Sequence, residues 1–259
     1  MILDYCYHTH TKRCGHAVGE EKDYIEKALL NGFKHIGFSD HVMLLGQSQP
    51  GIRGDYSLLE DYINTVNRVK DEYKDVIDIH LGFECEYYPN KLDYYQWLLD
   101  EKVEYLIIGQ HCYLDENGKF CWYFSKDNVE EGIKHYTEDL IVGMSTRLFK
   151  YAAHPDTFVR CFNEYNAIID KYARMICQAS LDYDCPLELN LGGVRGYWLE
   201  QPTLHYPCEY FWKIAGEMGV KVVIGVDAHN PDDFFNSNYQ YVFDLIEKYN
   251  LNYIQDYKL

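Results

Sequence analysis

Seven short β-prone runs, starting near Tyr5, His35, Val76, Tyr105, Lys150, Leu187 and Lys221, alternate with stretches whose apolar residues recur at helical spacing. That alternation constrains the fold more than any other feature of the sequence. A strand–helix repeat builds a parallel sheet, because each helix returns the chain to the edge where the previous strand began. Seven such units predict an α/β fold, either a parallel barrel or a doubly wound sheet. Local punctuation agrees. Ser57 with Glu60 reads as a capping box that opens a helix carrying Leu59, Ile63, Val66 and Val69 on one face. Asn31-Gly32 and Met218-Gly219 read as helix stops, and Pro207 suits the first turn of a helix. Phe162 to Leu181 and Tyr239 to Tyr249 also carry apolar residues at helical spacing. No linker, charge block or low-complexity run divides the chain, so one domain over 1–259 is expected.

Composition narrows the function. The formal charge of −17 repels a phosphate backbone and disfavours a long polynucleotide substrate. It suits a small substrate with positive groups, or one drawn in locally by bound metals; it also serves plain solubility. The nine cysteines form no CxxC pair and read as reduced, mostly buried thiols. Cys14 stands apart, because it lies between ligand-type residues in HTHTKRCGH. No apolar run of about 18 residues is present, and the opening MILDYCYHTH turns polar at once. No membrane association and a cytoplasmic location are therefore expected.

Chemistry gathers where the strands end. After the first run come His8, His10 and His16; after the second, Asp40-His41; the third ends at Glu84 and the fourth at His111. His154-Pro155-Asp156 closes the fifth, the sixth ends near Asn190, and the seventh closes on Asp227-Ala228-His229. Parallel α/β barrels build their sites from the loops at strand C-termini, so these residues would converge on one mouth. In HxH on a strand both side chains face the same side, and one ion can take both. Imidazoles with carboxylates suit zinc, iron or manganese. Each element alone is weak; their regular order at strand exits is not. His35 and His80 lie at the opposite ends of their strands, His135 falls in a polar helical stretch, and His205 sits in a loop facing the mouth.

HTHT, CGH, SDH, the strand-end Glu and His, AHPD and the late DAH together resemble the polymerase-and-histidinol-phosphatase (PHP) family, from His8 to His229. The opening YHTHTKRCGHA and the length look like its monofunctional histidinol-phosphatases. The resemblance implies a distorted seven-stranded (β/α) barrel, TIM-barrel-like, holding two or three divalent ions, with zinc the leading guess. It implies that His8, His10, Glu84 and Asp227 hold one ion, that Glu84, His111 and His154 hold a second, and that His16, His41 and His229 hold a third. The activity implied is hydrolysis of L-histidinol phosphate, a small phosphomonoester, in histidine biosynthesis. Metals of this kind lower the pKa of water and so supply a nucleophile near neutral pH.

For proton transfer the candidates are Asp227, His229 and Asp40, in that order. For phosphate they are Arg160 and Arg195, which follow AHPD and Asn190 and can present a forked pair of donors. Arg13 and Arg53 rank below them. A nuclease or nucleotide phosphoesterase with the same metals is an alternative. A non-catalytic metal-binding module is another, but it would need a closed ligand set. The oligomeric state is not legible.

Overall fold

The computed structural model describes residues 3–124, 128–195, 200, 202–236 and 238–259. Four strands, β1 (Tyr5–Cys6), β2 (His35–Phe38), β3 (Asp78–Cys85) and β4 (Tyr105–Ile108), form one sheet in that order, every pair parallel. The helices α1 (Glu21–Leu30), α2 (Leu59–Tyr73) and α3 (Leu92–Glu101) make the crossovers. An antiparallel hairpin, β5 (Cys112–Leu114) and β6 (Phe120–Trp122), follows β4. Then come α4 (Val129–Ser145), α5 (Ala167–Tyr183), β7 (Leu187–Asn190), α6 (Glu209–Met218), β8 (Lys221–Gly225), α7 (Asp233–Asn236), α8 (Tyr239–Tyr249) and β9 (Asn252–Tyr253). β7, β8 and β9 form a second parallel sheet. The architecture is an α/β fold around a curled parallel sheet.

One expected strand is reduced to a single rung. The run near Lys150 contributes only Ala152, which bridges Ile108 on one side and Leu187 on the other, both in parallel. Left-handed residues bracket it, Arg147 at φ 60° and His154 at φ 32°, and leave room for little else. That rung joins the two sheets. Across the ring from it, Thr9 bridges Ala228 in parallel, with His10 N–H donating to the Ala228 carbonyl at 2.8 Å.

The helices follow their apolar stripes: α2 buries Leu59, Tyr62, Ile63, Val66 and Val69. Gly32 (φ 82°) and Gly219 (φ 72°) adopt the left-handed turn that stops a helix, as their sequence context predicts. The Ser57–Glu60 capping box does not form. Asp55 takes the cap instead, accepting from the Ser57 amide at 2.9 Å and its hydroxyl at 2.7 Å, while Glu60 pairs with Lys102. Pro207 lies before α6 rather than in its first turn, after a cis Tyr206–Pro207 bond. The helix expected from Phe162 starts at Ala167, where Asn166 caps it by accepting from the Ile168 and Ile169 amides. All nine cysteines are free, and seven are buried. No helix among the described residues is long and apolar enough to cross a membrane.

The N-terminal end of the sheet is floored by tyrosines. Tyr5 donates to the Ile254 carbonyl (3.0 Å), Tyr7 to Tyr257 (3.2 Å), Tyr105 to Tyr7 (2.8 Å) and Tyr257 to Lys150 (3.0 Å). His80 lies edge-on to Tyr7 and uses both ring nitrogens on acids, Glu104 at 3.0 Å and Asp78 at 3.2 Å. His35 also meets Asp78, at 3.2 Å.

Candidate active site

The opposite end gathers the histidines. β1 runs on into His8 and His10, and the Thr9–Ala228 bridge sets them beside Asp227 and His229, which follow β8. A parallel bridge from His41 to Glu84 draws in the exit of β2. His111 follows β4, and His154 follows the Ala152 rung.

Glu84 occupies the centre, buried on β3. His154 Nε2 lies 2.8 Å from its Oε1, and His8 Nε2 and His111 Nε2 each lie 3.5 Å from the same oxygen. Its Oε2 meets His41 Nδ1 at 3.1 Å and His10 Nε2 at 3.5 Å. Asp227 Oδ1 stands 3.3 Å from His10 Nε2, 3.4 Å from His229 Nδ1 and 3.5 Å from His8 Nε2. The rings of His10, His41, His16 and His229 form a second patch, with centroids 4.6 Å apart for His10–His41, 4.2 Å for His10–His229 and 4.6 Å for His16–His229. His16 stands exposed at the rim. All nine ligand-type residues named from the sequence thus share one mouth.

Steric room for the central carboxylate comes from a glycine. A Cβ at Gly109 would lie 2.0 Å from Glu84 Oε1. Backbone strain also concentrates here. Three of the five non-glycine left-handed residues, Arg147, Asp184 and Asn250, sit at helix ends. The other two are His154 (φ 32°) and Asp227 (φ 52°), the kind of cost that persists where surrounding structure enforces it for function.

The residues fit divalent metals. His8 Nε2, both nitrogens of His10, His41 Nδ1, His154 Nδ1 and His229 Nε2 are buried and make no hydrogen bond. A buried polar atom left unbonded costs about 1–3 kcal/mol, so six together call for a ligand. The donor atoms of His8, His10 and Asp227 lie within 4.8 Å of one another, as do those of His8, Glu84 and His154, and of His10, His41 and His229. The site can hold several ions. Protonation suits two of the imidazoles as well, while for His8 and His111 burial is outweighed by neighbouring carboxylates, which raise both. Burial, then His229, lowers His10 to about 3, and burial lowers His41 well below the usual imidazole range, so both keep their lone pairs at neutral pH. Burial opposes ionisation of Glu84 and Asp227, yet the surrounding imidazoles outweigh it and hold both well below the usual carboxylate range.

Two buried acids escaped sequence reading, and a third, Asp156 of the AHPD motif, takes a structural part instead of a ligand's. Glu188 on β7 grips His8 Nδ1 with both oxygens, at 2.9 and 3.1 Å, and also accepts from Asn190 at 2.7 Å. Glu86, two residues beyond Glu84, lies 3.3 Å from His111 Nδ1. Asp156 accepts from the Cys208 amide and the Trp212 indole, tying the loop after His154 to α6. Only the alternation that puts Glu86 on the face of Glu84 could have hinted at either of the first two.

The other candidates divide. Both Asp40 oxygens are taken by Thr11, at 2.5 Å from its amide and 2.6 Å from its hydroxyl. Arg195 donates to the Asp227 carbonyl at 2.7 Å and pairs with Asp233 at 3.3 Å. Arg160 stands 6.0 Å from the ring of Tyr206, which meets the His154 ring at a steep angle with centroids 6.2 Å apart. Cys14 is buried close to His16 and His229, its thiol pushed up to about 12 by burial. Arg13 pairs with Glu21 and Asp61. His135 leans on Asp139 at 3.2 Å, and His205 is half-buried.

A parallel α/β sheet whose strand ends hold imidazoles and ionised carboxylates around shared oxygens defines a multinuclear metal centre of hydrolytic type. The PHP domain family matches the chain over residues 7–192, and the chain belongs to that family. A protein of Deinococcus radiodurans named "Probable histidinol-phosphatase" is 24% identical over 230 residues, spanning 87% of this chain and 86% of that protein. The histidinol-phosphatase of Bacillus subtilis is 28% identical over 133 residues, 48% of this chain and 50% of that one. Among solved structures, histidinol phosphate phosphatase from Lactococcus lactis, complexed with zinc, L-histidinol and phosphate, aligns with a TM-score of 0.74 at 17% identity, covering 98% of this chain and 96% of that one.

Proposed function

We propose that the chain is a metal-dependent phosphomonoesterase that hydrolyses L-histidinol phosphate to L-histidinol and phosphate. The observation that carries this reading is the set of unbonded imidazole nitrogens at the mouth that holds Glu84, in a PHP-family chain. The names of the curated relatives supply the substrate. Strands β1 to β4, β7 and β8 with the Ala152 rung support a distorted seven-stranded (β/α) barrel, and one domain over 1–259 accommodates it.

In this reading His8, His10, Glu84 and Asp227 hold one ion. Glu84, His111 and His154 hold a second, and His16, His41 and His229 a third. Zinc leads, with iron or manganese as alternatives. Divalent ions held there lower the pKa of water and neutralise phosphate oxygens. The chain's own groups do the rest. Arg160 and Arg195 receive the phosphate, Arg195 from a position already fixed on the Asp227 carbonyl. Asp227, ionised at neutral pH, can relay a proton from water to the leaving alkoxide but not store one, and His229 follows it in order. Asp40 stays third for proton transfer, because its oxygens are engaged in fixing the His-Thr-His-Thr segment through Thr11. The partner is a small molecule rather than a nucleic acid or a membrane, in keeping with the charge of −17.

The test is phosphate release from a panel of phosphomonoesters under matched metal. Binding energy from the remote imidazole and amine can be used at the reacting centre. Catalytic efficiency for L-histidinol phosphate is expected to exceed that for simple alkyl phosphates and mononucleotides by at least about 100-fold, roughly 2.7 kcal/mol. A nucleotide or oligonucleotide as the better substrate would overturn the assignment.

A further inference from the structure

Arg53 and Glu86 are both fully buried, and they pair at 2.7 Å. A buried ion pair is a poor source of stability, since its desolvation offsets much of the attraction and apolar replacements are often neutral or better. Its contacts point elsewhere. Glu84 and Glu86 alternate along the chain and face the same side. The ring of His111 stands between them, Nε2 at 3.5 Å from Glu84 Oε1 and Nδ1 at 3.3 Å from Glu86 Oε1. Glu86 is paired with the guanidinium on one side and meets His111 Nδ1 on the other. An ion held on Nε2 would place the ring hydrogen of His111 on Nδ1, where Glu86 accepts it. Glu188 treats His8 in the same way. Arg53 adds what Glu188 lacks. Its Nη1 donates to the Val42 carbonyl at 3.0 Å, next to His41, and its Nε donates to Gln49 at 2.8 Å. One guanidinium thus braces the loop of His41 and the acid behind His111.

We propose that Arg53 and Glu86 form a positioning pair that fixes the ring of His111 and the loop of His41, and so sets the affinity of the metal centre for its more weakly held ions. The proposal rests on the metal-centre reading above, and it removes Arg53 from the candidates for phosphate.

The experiment is titration of metal-free protein with Zn2+ alone, followed by metal analysis and competition with a chromophoric chelator. Glu86→Gln is expected to weaken at least one zinc site by about 10- to 100-fold, the usual effect of losing an outer-shell partner. Arg53→Met/Glu86→Gln removes both charges, avoids an unpaired buried ion, and is expected to weaken zinc in the same way with little change in melting temperature. His111→Ala/Glu86→Gln should lose no more zinc affinity than His111→Ala alone, because contacting residues in one network do not add. In assays, the zinc concentration for half-activation should rise in Glu86→Gln while kcat at saturating zinc returns to within about threefold of wild type. Zinc affinities within about twofold of wild type for Glu86→Gln and the charge-neutral double variant, or fully additive losses with His111→Ala, would overturn the pairing. Wild-type protein that binds no zinc, iron or manganese would instead overturn the metal-centre reading beneath it.

Discussion

The two ends of the curled sheet use similar polar rings in opposite ways. At the floor, Tyr5, Tyr7, Tyr105 and Tyr257 each donate to a backbone carbonyl, and His80 has an acid at each ring nitrogen. At the mouth, His10 is as buried as Tyr5, Tyr7 and Tyr105, and neither nitrogen is bonded. Satisfied polar groups fasten strands; unsatisfied ones cost stability and are kept where a ligand completes them. The same chemical groups therefore read as architecture at one end and as function at the other, and the difference lies in their partners rather than in their burial.

The largest test of this contrast exchanges one group at each end. Glu84→Gln keeps the shape but removes the charge that five imidazoles approach. It is expected to shed metal and lower turnover about a thousandfold or more, several kcal/mol of charge stabilisation. His80→Gln, on the same strand, should keep its metal content and turnover and lose only stability. Equal behaviour in metal analysis and kinetics would erase the distinction.

Glycines sharpen it. A Cβ at Gly225 would lie 1.7 Å from Glu188 Oε1, and one at Gly82 would lie 2.5 Å from the Tyr105 ring. Gly225→Ala is expected to push Glu188 off His8 and weaken metal binding about 10- to 100-fold. Gly82→Ala should leave metal per chain unchanged and lower stability by about 1–3 kcal/mol through overpacking. Metal titration beside thermal melting separates the two.

A phosphate probe gives an effect of similar or lesser size. Arg160→Ala is expected to weaken inhibition by inorganic phosphate about 10-fold or more while keeping the metal, as loss of a charge-assisted hydrogen bond should. Arg195→Ala should do the same and also loosen metal, because Arg195 holds the Asp227 carbonyl. Unchanged phosphate inhibition in Arg160→Ala would remove that arginine from the phosphate site.

The smallest effect belongs to the floor. Burial opposes ionisation of Glu104, but bonds from His80 and Lys70 outweigh it and hold its carboxyl at about 2. A carboxyl depressed in the folded state stabilises the fold above its unfolded pKa of about 4.5 and loses that contribution as pH falls towards 2. Glu104 is more than one-third exposed, so screening keeps the contribution below about 1 kcal/mol. Metal-free Glu104→Gln should therefore lose slightly less stability than wild type between pH 4.5 and 2. A steeper acid loss in the variant would contradict the assignment of Glu104 to a fastening role.

Legibility in the sequence follows the same division. The strand–helix order and the ligands at strand exits were readable, because periodicity and HxH or DxH spacing are local signals. The Lys150 run misled because its residues are strand-like, while the left-handed turns that cut it to Ala152 are enforced by tertiary packing. The capping box lost to Asp55, a better-placed oxygen two residues upstream of Ser57. Glu188 and Glu86 were not assigned roles and Arg53 was ranked only as a lesser phosphate candidate, since a charged residue in a strand or loop declares itself only through partners over a hundred or tens of residues away.

The seam between β1 and β8 has a bearing on durability. Near the mouth it is held by the single bridge from Thr9 to Ala228, with β9 wedged along β8 below. His8 and His10 stand on one side of it, Asp227 and His229 on the other. On the metal-centre reading, an ion drawing ligands from both sides is a clasp across this join. Loss of the clasp would favour local opening long before global unfolding, with faster hydrogen exchange at the amides of His10 and Ala228. The protein's lifetime against proteases would then follow the supply of metal as much as the strength of its core.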